Sequence, residues 1–108
     1  MRYWVLIVPK LNANAMALFP FILLKNLTQK KDLVLINHEK IHLQQQLELL
    51  VLPFYILYLL NYFLNLVKYK NHYKAYYNIS FEREAYKAEG DLNYLANRKL
   101  YHWIKFLR

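Results

Sequence analysis

The chain is 108 residues long and 57% hydrophobic, with 15 Lys and Arg against 7 Asp and Glu for a formal net charge of +8. That length holds one domain, and the absence of cysteine excludes a disulfide scaffold, a cysteine-based zinc ribbon and thiol catalysis. A single glycine, Gly90, argues against a hairpin-rich β domain and a Gly-rich phosphate loop, and an aromatic content of 18% excludes disorder.

Met1 to Lys10 contain a short apolar run, Tyr3 to Val8, ended by Pro9. The run is too short for a signal peptide and no small-residue cleavage site follows it, so a cytoplasmic location is expected. Asn12 to Asn14 read as a turn. The segment from Ala17 to Leu24 reads as an edge strand, because its Pro20 cannot donate to a ladder on both sides. Lys25 to Lys31 form a polar loop, and Asp32 is placed to cap a helix from Leu33 to about Leu52, where Pro53 stops or kinks it. A second, apolar helix is predicted over Phe54 to Val67, followed by a polar connection through His72. Ser80 to Asn97 show helical period, with Phe81, Ala85, Ala88, Leu92 and Leu95 on one stripe and Gly90 inside it. The basic aromatic tail, Tyr101 to Arg108, suits docking on the core or an anionic membrane surface, with docking the better reading. The fold class is therefore mainly α.

The chemistry lies in His38-Glu39-Lys40-Ile41-His42. Two His at i and i+4 on a helix point from one face, one turn apart, so both imidazoles can reach one tetrahedral cation. The Glu beside the first His is placed to take a proton from a water that such an ion activates. A zinc site needs a third protein ligand, and Glu82, Glu84 and Glu89 lie downstream on a predicted helix.

His38-Glu39-x-x-His42 followed by Glu82-x-x-Ala85 resembles the gluzincin pattern of zinc metallopeptidases, in a minimal, minigluzincin-like version. The resemblance runs from His38 to about Leu92. It implies a compact helical zincin-like domain with an active-site helix, a later Glu-bearing helix and a short upstream edge strand bordering the cleft. It also implies zinc held by His38, His42 and Glu82, with Glu39 as general base and a small Ala85 that lets the two helices approach. Tyr86 stands where the family pattern has an Asp or Asn supporting a ligating His. Glu84 lies nearer the centre of the apolar stripe than Glu82 and stays open as the alternative ligand. Gln45, seven residues after His38, is on the side where it can hydrogen-bond a ligand. His72, Tyr76 and Tyr77, before the Glu82 helix, are candidate oxyanion donors, and Tyr86 is a candidate support for a ligand.

Leu49 to Val67 carry no charge and reach the length of a membrane-span candidate. A single crossing would leave His42 and Glu82 on opposite sides of about 30 Å of hydrocarbon, so the metal site and the span are nearly exclusive. Pro53, Asn61 and Asn65 also speak against a span. The expected partner is a peptide or protein substrate. A membrane surface or a second copy would take the apolar surface that so small a chain cannot bury. The alternative functions are a membrane-associated interaction protein anchored by residues 49–67 and a peptidase-like protein that binds metal without cleaving. Nucleic acid is not expected, since the basic residues are scattered and no recognition motif is present.

Overall fold

The computed structural model describes residues 2–107. Three short strands, β1 (Trp4–Ile7), β2 (Ala15–Leu18) and β3 (Phe21–Leu24), form a sheet of order β1-β3-β2. β1 runs parallel to β3 with Trp4 opposite Phe21, and β2 runs antiparallel to it with Ala17 opposite Ile22. This corrects the single edge strand expected over Ala17 to Leu24. The chain reverses at Phe19–Pro20, where proline has no N–H for the ladder, so the segment splits into an edge strand, β2, and a central strand, β3. The apolar run before Pro9 is the second edge strand, β1, a β-branched and aromatic segment that fits a half-buried sheet.

Helix α1 (Leu33–Leu49) begins where expected, with the Asp32 side chain accepting from the Leu35 N–H at 3.1 Å. It ends earlier than expected, at Leu50, whose φ of 66° turns the chain into α2 (Val51–Tyr69). Pro53 therefore sits inside the first turn of α2, where its missing N–H is one of the orphan donors that every helix start leaves. Helix α2 takes in Lys68 and Tyr69 of the predicted polar connection, and helix α3 (His72–Tyr77), capped by the Asn71 side chain, begins at its last residue.

The predicted helix over Ser80 to Asn97 is two helices, α4 (Ser80–Ala88) and α5 (Tyr94–Asn97). Between them Asn37 of α1 donates to the Glu89 and Asp91 carbonyls, each at 2.9 Å, and so holds the turn around Gly90. The tail docks: Trp103, in a 3-10 turn over His102–Phe106, is buried against Phe81 with ring centroids 4.8 Å apart.

Helix α1 lies between the sheet and α4. Ile22, Leu24 and Leu43 are buried on its sheet side, and Ile41, Ala85 and Ala88 on its α4 side. Ala85 is fully buried, and the absence of a larger side chain there is what lets α4 come close to α1. A third cluster of Phe54, Ile79, Phe81 and Trp103 joins α2 to α4 and the tail. The molecule is mainly helical, with the small sheet along one flank.

Candidate metal centre

Two i,i+4 imidazoles on α1 and one carboxylate from the first turn of α4 meet in the interior. His38, His42 and Glu82 are all buried, and their candidate ligand atoms lie within 4.8 Å of one another. Glu82 Oε1 stands 3.2 Å from His38 Nε2 and 3.0 Å from His42 Nε2, and the two Nε2 atoms are 3.2 Å apart. Ligands about 2.0–2.1 Å from a tetrahedral zinc stand about 3.3 Å from one another, so this triangle is close to one face of that tetrahedron.

The surroundings fix which ring nitrogen faces the centre. His38 Nδ1 is 2.8 Å from Glu89 Oε1, a carboxylate that can only accept, so this nitrogen carries the hydrogen. His42 Nδ1 is 2.8 Å from Gln45 Oε1. The Gln45 amide is oriented by its own nitrogen, which donates to the Phe81 carbonyl at 3.1 Å and to Glu84 Oε1 at 2.9 Å. Both rings therefore donate outward from Nδ1 and present Nε2 inward, the tautomer that metal-ligating His adopts. Glu82 is held as well, since Tyr58 Oη donates to its Oε2 at 2.6 Å and leaves Oε1 at the centre.

The two helix carboxylates that sequence left as alternatives part here. Glu84 is fully buried, but it is bonded by Arg98, by Tyr94 Oη at 2.6 Å and by Gln45, and it stands outside the His–His–Glu group. Burial alone would raise its pKa, but the Arg98, Tyr94 and Gln45 hydrogen bonds and the Arg98 charge outweigh that and lower it. Arg98 also pairs with Glu48 on α1, so one guanidinium bridges both helices.

Of the other predicted residues, Gln45 supports His42. Tyr86 lies with its ring 4.5 Å from the His38 ring, and its hydroxyl is 2.9 Å from that of Tyr76. The support expected at position 86 comes instead from Glu89, seven residues after Glu82 and so two turns on along the same face. His72 is exposed and bonded to Tyr62, which places it with the outer pair rather than the centre. Tyr77 is half exposed behind Tyr86, its ring 4.7 Å away. His72 and Tyr77 thus do not join the site, and both lie on α3 rather than on a loop. Tyr58, sixteen residues beyond His42 on another helix, has no local signal in sequence, because only the turn at Leu50 brings it back.

Two adjoining cavities, of about 240 and about 330 Å³, share Ala13, Ala15, His38, Glu39 and Tyr76 as lining residues. Together they form a cleft over the centre, with the start of β2 as one rim. The Ala17 carbonyl further along β2 is taken by Gln46 and Tyr55 at 3.0 and 2.6 Å, leaving the Ala13–Ala15 end over the cleft. Glu39 is buried, and desolvation raises its pKa against the pull of His42 and His38. Burial first, and then the Glu82 charge, push the Tyr58 and Tyr76 hydroxyls upward, so both stay protonated donors.

No family model, curated protein or solved structure matches the chain.

Proposed function

We propose that this chain is a minimal zinc-dependent metallopeptidase with a zincin-like, gluzincin-type arrangement. The observation that supports it is the convergence of His38 Nε2, His42 Nε2 and Glu82 Oε1 beside Glu39 at the floor of an open cleft. Zinc held by these three residues would supply a Lewis acid that lowers the pKa of a water and polarises a peptide carbonyl.

The chain's own residues divide the remaining work. The Glu39 carboxylate takes the proton released as water adds to the carbonyl carbon and delivers it to the departing amine nitrogen, so the C–N bond breaks to a carboxylate and an amine. Its desolvated setting makes it a better base than an exposed glutamate. The Tyr76 hydroxyl, on the wall of both cavities, would turn its proton from the Tyr86 hydroxyl to the oxygen on which charge develops. The Ala13–Ala15 edge offers backbone groups to an extended peptide laid along the cleft.

The test compares metal content and hydrolysis in three proteins. The wild type is expected to hold one zinc per chain and His38→Ala to lose it. Glu39→Gln should keep the metal but lose hydrolysis of an unstructured protein substrate by about 10²–10⁴-fold. Wild-type protein without stoichiometric zinc would end the reading, and equal hydrolysis by wild type and Glu39→Gln would remove Glu39 as base.

A further inference from the structure

Helix α2 is turned inside out. Its polar side chains face the protein: Tyr55 bonds the Ala17 carbonyl, Tyr58 bonds Glu82, Asn61 accepts from the Ser80 N–H, and Asn65 donates to the Ala75 carbonyl. The opposite face carries Leu52, Ile56, Leu60, Phe63, Leu64 and Val67, which are between 53% and 77% exposed. These positions recur at helical spacing and form a stripe about 22 Å long at 1.5 Å per residue. The helix is long and apolar enough to cross a bilayer by composition. However, its inner side is bonded from Tyr55 to Asn65 to elements that also carry Lys74, Arg83 and Glu82, so crossing would break those bonds or drag charge into hydrocarbon.

Charge decides what covers this stripe. Glu39, Glu82 and Glu84 are buried, Glu48 is closed in its pair with Arg98, and Glu89 is spent on His38. Only Asp32 and Asp91 are exposed acids, whereas every lysine except the half-buried Lys40 is exposed. Lys68, Lys70 and Lys74 lie at one end of α2, and the exposed Lys99 follows Arg98, which is tied to Glu48 just before the other end. A second copy would meet this field with its own like charge, and the stripe has no polar group with which to fix a register. A layer of anionic headgroups over hydrocarbon matches both the cations and the stripe.

We infer that the outer face of α2 beds into the headgroup–acyl boundary of an anionic bilayer, with the whole domain on one side. Phe54, Tyr55 and Tyr58 on the same helix line the cleft, so docking sets the cleft about one helix diameter, roughly 10 Å, from lipid. Docking does not depend on the metal and is read without zinc.

Flotation of the full chain with vesicles of phosphatidylcholine containing about 30% phosphatidylserine tests this, with pure phosphatidylcholine vesicles alongside. The chain is expected to float with the anionic vesicles and to be released in part by salt. The triple variant Leu60→Gln, Phe63→Gln and Leu64→Gln should lower partition by at least about tenfold while keeping the wild-type circular dichroism. Because the chain has no cysteine, a single fluorophore on Leu60→Cys reports depth without the triple variant, and Gly90→Cys, where a side chain meets open space, is the control. Quenching by acyl-chain spin labels is expected at position 60 and not at position 90. Equal flotation of the triple variant, equal quenching at both positions, or no wild-type partition would overturn the inference. So would a wild-type dimer in solution that the triple variant abolishes, which would assign the stripe to a second copy.

Discussion

His42 faces two competitors for its Nε2 lone pair, a proton and a metal. Burial alone would lower its pKa, but the Glu82 carboxylate beside it wins and raises it to about 9. Glu82 mirrors this: burial would raise its pKa, and the His42 and His38 contacts outweigh that and hold it well below the usual carboxylate range. Without metal, the centre is therefore an imidazolium–carboxylate pair through neutral pH. A group whose pKa is raised holds its proton below that value, so a metal ion bound there would have to expel a proton from His42 at any pH under about 9. Zinc affinity is expected to rise with pH up to that point and to flatten above it. Titration calorimetry in buffers of differing ionisation enthalpy should show about one proton released per zinc near neutral pH. An affinity that does not change with pH would contradict the assignment. At this scale sequence placed His38 and His42 together, because i,i+4 spacing on a helix dictates a shared face whatever the fold. It did not separate Glu82 from Glu84, since both are buried and a helical stripe reports burial rather than its cause. The cause for Glu84 is Arg98, which no spacing rule connects to it.

Two helices make the site, so what fixes α4 against α1 matters as much as the ligands. Small Ala85 sets their approach, Gln45 ties His42 to Phe81 and Glu84, and Arg98 joins Glu84 on α4 to Glu48 on α1. All three side chains of that ion cluster are nearly inaccessible. Arg98→Met keeps much of the volume but strands two buried carboxylates, and a loss of about 3–5 kcal/mol is expected. The pH dependence identifies the cause. Glu84 has a lowered pKa in the folded wild type, so its contribution is present above the ordinary glutamate pKa and is lost as pH falls through the folded value. The gap between wild type and Arg98→Met in denaturant titrations should therefore be widest near neutral pH and shrink in acid. A gap constant with pH would mean that lost packing, not charge, is responsible. Elements were legible where the cue was local, as with the Asp32 cap. They were misplaced where tertiary contacts decide: α4 stops before Gly90 because Asn37 captures the turn carbonyls, and β1 exists because β3 offers it a parallel partner.

The whole chain divides its charges by location: the five glutamates inward, where they orient His38, His42, Gln45 and Arg98, and every lysine but the half-buried Lys40 outward. An excess of bases in the composition is therefore also a statement about the interior, and only the fold reveals it. Such an interior is costly without a cation, because several carboxylates share a small core and only Arg98 and protonated imidazole balance them. A metal that binds the folded chain and not the unfolded one adds stability of RT ln(1 + [L]/Kd), about 2.7 kcal/mol at a hundredfold excess over Kd. For a domain of this size each kcal/mol moves the melting point by about 4–8 °C, so zinc should raise it by roughly 10–20 °C. The increase should depend on free zinc concentration, reverse with a chelator and vanish in His38→Ala. Glu39→Gln should keep it, because that carboxylate lines the cleft without belonging to the ligand triangle. Scanning calorimetry of the three proteins at several zinc concentrations measures this directly. A wild-type melting point unmoved by zinc would show that the His–His–Glu group is a proton-sharing core cluster and that the ion has no part in it.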